Sequence, residues 1–294
     1  MTLKKIINEK SYSVNDQIEC EKGIFPAWIV QPGFFLKNNE LVYKINWEEY
    51  VPEKSFYFLH IPKTSGMSIK EVLLNTYKDQ RIYSNFLQYI DDKEMLKSDF
   101  VSGHFARYPI EVFKENKRKL FTYTVLRDPV ERYISNYLYK NDNPSLVNLE
   151  NHMSYDFNNN IQYKYITSTL RMQDIKKFYN DLVDKKITFE EYKKFALSYS
   201  DLVPIYNNLD DALLDIDYIE TVDSQKDLCN LNNFLQEKLG ISLFTNIKGY
   251  QNTGSEKNKE FIKTIPNSFL NTIKENQNLD YELYEKVKMG YYNK

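Results

Sequence analysis

Residues 121–126 constrain the fold of this chain most, because apolar and aromatic side chains occupy them with little alternation. A strand with one face in water alternates apolar and polar residues, whereas a strand covered on both faces does not. Residues 55–59 form a similar apolar-aromatic run, and helical spacing follows it over residues 68–77. Strands that alternate with helices predict an α/β fold, with a parallel sheet flanked by helices.

A helix start follows the second of these strands. Asp128 suits the N-cap, Pro129 the first helical position, and Glu131 the third position of a capping box. We therefore expect a helix that continues through Tyr139.

The C-terminal half is predicted to be rich in helix. Helical spacing covers residues 170–186, 189–198, 227–239 and 279–289, and a further short strand is expected at 218–221. Residues 1–50 carry short aromatic strand-like pieces, at 28–30 and 41–43, and are interpreted as an N-terminal extension of unclear role. One α/β domain is expected over residues 51–294.

Charge and composition argue against several classes of protein. A formal net charge of −2 does not suit a general binder of nucleic acids or anionic membranes, which needs a basic excess. No run reaches the roughly 18 apolar residues of a membrane helix, and the N-terminus lacks the apolar core of a signal peptide. Cys20 and Cys229 lie far apart, which fits a reducing compartment. A cytoplasmic protein without a membrane span is expected.

The loop after the first strand has the character of an anion site. It begins at His60 and leads into a helix N-terminus, where free backbone N–H groups and the helix dipole favour negative charge. Lys63 adds a mobile positive charge, and Gly66 permits close approach of the backbone. The loop lacks the glycine that precedes the lysine in a Walker A motif. Taken alone, it is equally consistent with an ordinary strand-to-helix turn and a solvated lysine.

A second candidate pair lies at the other strand end. Arg127 ends the strand, and Ser135 lies two turns along the following helix from Asp128, on the same face. An arginine laid along that face could share one phosphate with the serine hydroxyl. The alternative is that Arg127 pairs with Asp128 or Glu131 and that Ser135 is a surface residue.

Histidine is scarce, and one of the three lies beside a glycine. His104 follows Gly103, and histidine is the usual general base near neutral pH, although a lone histidine is more often structural. His60 is expected to be structural at a strand end, and His152 to lie in a polar loop without a role.

The order of these segments is more specific than any one of them. His-Ile-Pro-Lys-Thr-Ser-Gly at 60–66, Ser-Gly-His at 102–104 and Leu-Arg-Asp-Pro-Val-Glu-Arg-Tyr-Ile-Ser at 126–135 resemble a sulfotransferase family. That family includes heparan sulfate 2-O-sulfotransferase and bacterial carbohydrate-type relatives. The resemblance also takes in an Asn-x-Gln motif at 160–162 and the segments 217–221 and 279–284, and covers residues 54–292.

The resemblance implies a P-loop-like fold that binds 3′-phosphoadenosine 5′-phosphosulfate (PAPS) as donor and releases 3′-phosphoadenosine 5′-phosphate (PAP). His104 matches the catalytic histidine of the family, and Lys63 would act with it. Arg127 and Ser135 would bind the 3′-phosphate. The residues that would hold the 5′-phosphosulfate are Lys63, Thr64, Ser65, Gly66, Met67 and Ser68. Met67 stands where the family commonly has threonine, so one hydroxyl for the 5′ group is missing.

The expected reaction is in-line transfer of a sulfuryl group to an acceptor hydroxyl, without a required metal. Two alternatives stay open: an ATP-dependent kinase on a P-loop-like scaffold, and an inactive relative that binds nucleotides or glycans. The acceptor is expected to be a carbohydrate or a small metabolite. Its identity, the oligomeric state and the roles of Asn160 and Gln162 are not legible in the sequence.

Overall fold

The computed structural model describes residues 51–77, 80–85, 92–141, 143–154, 159–170, 202–222, 228–243 and 256–290, positions 181, 186 and 188, and five short strands between residues 11 and 43. These five strands are β1 (Ser11–Ser13), β2 (Gln17–Cys20), β3 (Gly23–Pro26), β4 (Phe34–Lys37) and β5 (Glu40–Tyr43). They pair with one another in two small antiparallel sheets, ordered β1-β5-β4 and β2-β3. The strand-like piece predicted at 41–43 falls within β5, and the one at 28–30 lies outside the described residues.

A five-stranded parallel sheet forms the centre of the remaining chain. Its strands are β6 (Lys54–Leu59), β7 (Ile82–Asn85), β8 (Phe100–Gly103), β9 (Lys119–Leu126) and, near the end, β12 (Tyr218–Thr221). Their spatial order is β12-β9-β6-β8-β7. The chain moves from β6 towards the β7 edge and later crosses to β9 on the other side, so the winding reverses around β6. Ligands of open α/β sheets bind beyond the carboxyl ends of the strands at such a point.

Helices cover both faces of this sheet, as the continuous apolar strands predict. Side chains alternate between the two faces of a strand, so Phe56 and Phe58 of β6 face one way and Tyr57 and Leu59 the other. All four are fully buried. The described helices are α1 (Gly66–Thr76), α2 (Asp92–Leu96), α3 (Tyr108–Glu115), α4 (Pro129–Lys140), α5 (Leu146–Met153), α6 (Ile161–Thr167), α7 (Leu209–Leu213), α8 (Cys229–Leu239), α9 (Glu256–Thr264), α10 (Asn267–Asn276) and α11 (Asn278–Lys288).

Each face of the sheet has its own apolar core. Phe56 and Phe58 pack with residues of α1 and α8, whereas Tyr57 and Leu59 pack with residues of α3, α6, α7 and α11. The α/β architecture with a helix-rich C-terminal half is therefore confirmed, since α6 to α11 all follow residue 160.

Two acidic residues, Asp217 just before β12 and Glu220 within it, form hydrogen bonds to β9. The Asp217 carboxylate accepts a hydrogen bond from Thr122 N at 2.7 Å, and Asp217 N donates to Thr122 O at 3.1 Å. The buried Glu220 accepts hydrogen bonds from the Tyr123 hydroxyl and from Asn230 Nδ2. The segment 217–221 therefore contributes to the sheet.

One predicted helix is wrong where it can be checked. Leu170 was expected to begin a helix, but it ends β10 (Ser168–Leu170), which pairs antiparallel with β11 (Leu202–Pro204). Pairing with a segment distant in sequence overrides the local periodicity here. Most of 171–186 and all of 189–198 lie outside the described residues. The helices predicted near 227–239 and 279–289 correspond to α8 and α11, and the strand at 218–221 is confirmed as β12.

None of the helices in the described ranges combines the length and apolar character that a membrane crossing requires.

Candidate functional site

The three sequence segments singled out above meet at the carboxyl ends of adjacent strands. His60 follows β6, His104 follows β8 and Arg127 follows β9. Leu59 of β6 pairs with Gly103 of β8 on one side and with Thr124 of β9 on the other. The parallel sheet thus brings together residues that lie up to 67 positions apart in the sequence.

The loop between β6 and α1 alternates between left-handed and ordinary backbone conformations. Lys63 has a φ of 68° and Ser65 a φ of 62°, which non-glycine residues adopt at a cost of about 1–2 kcal/mol each. The Thr64 hydroxyl donates to Ile61 O at 2.9 Å and braces the turn between them. Alternation of this kind turns successive backbone N–H groups towards one concavity, which is a geometry that binds anions.

Gly66 is the first residue of α1 and lies directly against the His60 ring. A Cβ atom at position 66 would stand 2.0 Å from His60 Cδ2 and 2.2 Å from Nε2. The ring cannot move aside freely, because it is buried and stacked on Phe58 with ring centroids 5.5 Å apart. The glycine is therefore required for the close packing of the loop on His60, and the burial of His60 at the end of β6 is consistent with the structural role expected for it.

His104 is anchored on the residue that begins this loop. Its Nδ1 lies 2.9 Å from the carbonyl oxygen of His60, and the two rings are 4.4 Å apart. A carbonyl oxygen only accepts hydrogen bonds, so Nδ1 carries the proton and the basic lone pair of the neutral ring is on Nε2. Burial lowers the pKa of His104 to about 4, and the charges of Lys70 and Lys63 also lower it. The imidazole is therefore neutral at physiological pH.

Positive charge is concentrated around the loop. Burial and the neighbouring charge of Arg127 lower the pKa of Lys63. Lys70, on α1, is 3 % exposed, and burial lowers its pKa to about 8. This burial is not visible in the sequence, because a lysine within a helix is usually solvated and nothing in the local pattern marks Lys70 as buried.

Tyr139 is a second residue near this loop that no sequence motif marks. Its ring is 75 % exposed at the end of α4, and Lys63 Nζ lies 4.1 Å from the ring centroid. This cation–π contact holds the lysine between the loop and α4. In the sequence, the position of Tyr139 in the last turn of the predicted helix is the only indication that it lies near this loop.

Arg127 forms an ion pair with Glu131, as the alternative interpretation of the sequence predicts. Its Nε lies 3.2 Å from the Glu131 carboxylate, and the Asp128 side chain caps α4 by accepting from Glu131 N at 3.0 Å. The predicted N-cap is thus confirmed. Ser135 is half-buried on α4, and the described residues include no hydrogen-bond partner for its hydroxyl.

The hydroxyl groups of Ser65 and Ser68 are likewise not engaged by any described side chain or backbone group. Both stand at the start of α1, and Met67 between them contributes one of the backbone N–H groups at the helix N-terminus. With Lys63, these groups supply donors for an anion with several oxygen atoms, so the residues present suit a phosphosulfate.

Gln162 contacts the backbone of Arg127 at two points. Its Oε1 accepts from Arg127 N, and its Nε2 donates to Arg127 O, each at 2.9 Å. The side chain is fully buried at the start of α6. Sequence alone left Gln162 without a role, although it lies in the Asn-x-Gln motif.

His152 is not in a polar loop, contrary to expectation. It lies on α5 and is 9 % exposed, with the rings of Tyr133 and Tyr137 packed edge-on against it. Burial lowers its pKa to about 4. The polar neighbours of His152 in the sequence face outwards, whereas the histidine faces α4.

No group of three or more His, Cys, Asp or Glu side chains that could hold a metal ion occurs within the described part of the chain.

Comparison with known proteins identifies the family. The family model described as "Sulfotransferase family" matches residues 50–287, which is most of the chain. No curated protein matches the chain.

Proposed function

Since the chain belongs to the sulfotransferase family, whose members transfer sulfuryl groups, we propose that its donor is PAPS and its acceptor a hydroxyl group. The observation that carries this proposal is the position of His104, a neutral histidine with its basic nitrogen at Nε2, next to the loop of Lys63. A base and an anion-binding loop on adjacent strand ends are what transfer from an anionic donor requires.

The loop would bind the 5′-phosphosulfate end of the donor. Its backbone N–H groups, the hydroxyls of Ser65 and Ser68, and the ammonium of Lys63 all suit sulfate and phosphate oxygens. Arg127 and Ser135 would bind the 3′-phosphate. Glu131 is 64 % exposed, so its ion pair with Arg127 is weakened by solvent and a phosphate could replace it.

His104 would act as the general base. Its Nε2 would accept the proton of the acceptor hydroxyl as the oxygen of that group forms a bond to sulfur. PAPS supplies the sulfuryl group, and its sulfur–oxygen bond to the 5′-phosphate breaks. Lys63 would stabilise the charge that grows on the bridging oxygen, in a half-buried site where such an interaction is stronger than in water.

The acceptor is proposed to be a carbohydrate or a small metabolite, and no metal is proposed to take part. In the described part of the chain, the carboxyl end of the sheet carries several cationic side chains and a histidine, which suits an anionic donor. The acceptor would then be bound by neighbouring loops.

Thermal unfolding with added nucleotide tests the donor. PAP should raise the melting temperature, and a ligand present at a hundred times its Kd adds about 2.7 kcal/mol to the free energy of unfolding. ATP with Mg²⁺ serves as the comparison. If ATP with Mg²⁺ stabilises the protein and PAP does not, the proposal is overturned in favour of a kinase. Transfer of labelled sulfate from PAPS into cell extracts then tests catalysis, because PAP binding without transfer would indicate an inactive relative.

A further inference from the structure

The buried amide of Gln162 and the backbone of Arg127 form a paired contact that the proposed chemistry does not use. We infer that Gln162 is a positioning residue: it fixes the backbone of Arg127 and thereby sets the recognition of the 3′-phosphate. This inference rests on the proposed function, because it takes Arg127 as the residue that meets that phosphate.

Arg127 needs such a partner because it lies just beyond the sheet. Leu126 is the last residue of β9 with a strand partner, Thr221 of β12. A primary amide carries a C=O acceptor and an NH2 group, and one N–H of that group points to the same side as the C=O, so the amide can pair with both the N–H and the C=O of one residue. Gln162 therefore takes the place that a neighbouring strand would occupy, and extends backbone pairing to Arg127.

Gln162 is itself held at a helix N-terminus. The carboxylate of Asp280 accepts from Gln162 N at 3.3 Å and from Tyr163 N at 2.7 Å. In return, the Asn160 side chain accepts from Leu279 N at 3.0 Å and Asp280 N at 3.1 Å. The N-termini of α6 and α11 thus cap each other, and each cap satisfies N–H groups that lack partners within their own helix.

This double cap is buried and contains a charge pair. Asp280 and Arg132 are both fully buried, with Arg132 Nε 3.7 Å from the carboxylate. A continuous set of contacts therefore connects α4, α6 and α11 to the backbone of Arg127. Because water is excluded from Gln162, it cannot replace the hydrogen bonds of the amide at low cost.

Among the residues that the structure describes, none constrains the Arg127 side chain comparably. It is 27 % exposed, and its ion-pair partner Glu131 is more exposed still. A surface ion pair of this kind holds a guanidinium only weakly. The direction of the guanidinium therefore depends on the backbone from which it projects, and Gln162 fixes that backbone.

Gln162→Leu should consequently impair recognition of the 3′-phosphate and spare recognition of the 5′ end. PAP and 5′-AMP differ only in the 3′-phosphate, so the ratio of their dissociation constants reports on it. We expect the variant to lose about tenfold or more in affinity for PAP, the value of one charge-assisted hydrogen bond, while the affinity for 5′-AMP changes by less than about threefold.

Calorimetric titration of PAP and 5′-AMP into the full chain measures the ratio. A second variant, Gln162→Asn, keeps a polar amide that is one methylene too short to meet both backbone groups, and it should act in the same direction. Gln277→Leu is the matched control. Gln277 is also fully buried and serves the same double cap, through Asn160 N and Asn159, without contacting Arg127. This control should lower stability and leave the ratio unchanged.

A double-mutant cycle separates positioning from general destabilisation. If Gln162 acts through Arg127, the double variant Arg127→Gln, Gln162→Leu should bind PAP no more weakly than Arg127→Gln alone. Additive losses, or equal losses for PAP and 5′-AMP, would overturn the inference. If the wild-type protein itself does not prefer PAP to 5′-AMP, the proposed function fails. If the wild-type protein prefers PAP and both Gln162 variants retain that preference, the positioning role is refuted and the proposed function is not.

Discussion

The carbonyl oxygen of His60 accepts a hydrogen bond from Nδ1 of His104 at 2.9 Å. The same His60 leaves room for no side chain at position 66, so one residue determines both the tautomer of the proposed base and the path of the anion loop. The proposed base and the loop that would bind the donor are therefore positioned relative to each other by the strand end of β6.

Replacement of His104 should abolish most transfer and spare donor binding. His104→Ala removes the nitrogen that would accept the acceptor proton, and we expect a loss of about 10²–10⁴-fold in turnover. PAP should still stabilise the variant, because the loop and Arg127 are intact. Labelled-sulfate transfer and thermal unfolding measure the two properties. Full activity in His104→Ala would remove this residue from the mechanism.

The acid limb of the activity profile should lie well below the usual histidine range. Burial lowers the pKa of His104 to about 4, so the neutral, basic form persists as the pH falls through 6.5. We expect kcat/KM, which reports the free enzyme, to fall with an apparent pKa near 4 rather than near 6.5. The measurement is kcat/KM against pH in buffers of constant ionic strength. If the profile instead shows an inflection at 6.5, and this inflection persists when either of the other two histidines is replaced, it belongs to His104. That result would contradict the burial of this ring.

Gly66→Ala should destabilise the protein and displace the loop. The added methyl group would overlap the His60 ring, which is stacked and buried, and overpacking of this kind costs about 1–3 kcal/mol. Urea unfolding measures the stability, and PAP titration measures the loop. Gly240→Ala is the comparison: a Cβ there meets nothing within 4 Å, although its φ of 69° adds strain. It should lower stability without weakening PAP binding.

How much of this arrangement the sequence predicts depends on the range of the contacts involved. Buried strands and the Asp128 cap are legible because their signals lie within a few neighbouring residues. The pairing of Gln162 with Arg127 joins residues 35 positions apart, and no local pattern marks it. The burial of Lys70 and His152 is equally hidden, since it depends on which helix face the fold covers.

Stability should decrease as the pH falls from neutral towards 4. The pKa of His104 and that of His152 are lowered to about 4, and the pKa of His60 is also lowered, mainly by burial. In the unfolded chain these histidines bind protons below about 6.5, whereas in the folded chain they do so only at lower pH, so the stability present above 6.5 is lost as the pH falls. Urea unfolding midpoints at several pH values measure the slope. His152→Phe should reduce that slope and leave transfer intact, and an unchanged slope would show that His152 is not buried as a neutral ring.

Lys63 should matter more for transfer than for binding of the product. In the proposed mechanism its ammonium stabilises charge on the leaving oxygen, and removal of one such group typically costs about 10²–10³-fold in kcat. Lys63→Met should show this loss, with a smaller change in PAP affinity, because the backbone N–H groups of the loop remain. Lys63→Arg keeps the charge and should recover part of the rate, although a planar guanidinium differs in shape from an ammonium.

Lys288→Met is a suitable control, because it also removes a lysine that contacts a tyrosine ring. Lys288 Nζ lies 5.7 Å from the Tyr284 ring centroid at the end of α11, and it has no part in the proposed site. This variant should transfer sulfate at the wild-type rate. Single-turnover measurements at saturating donor distinguish the chemical step from donor binding. If Lys63→Met lowers PAP affinity as much as it lowers the rate of transfer, Lys63 acts in donor binding and does not selectively stabilise the leaving group.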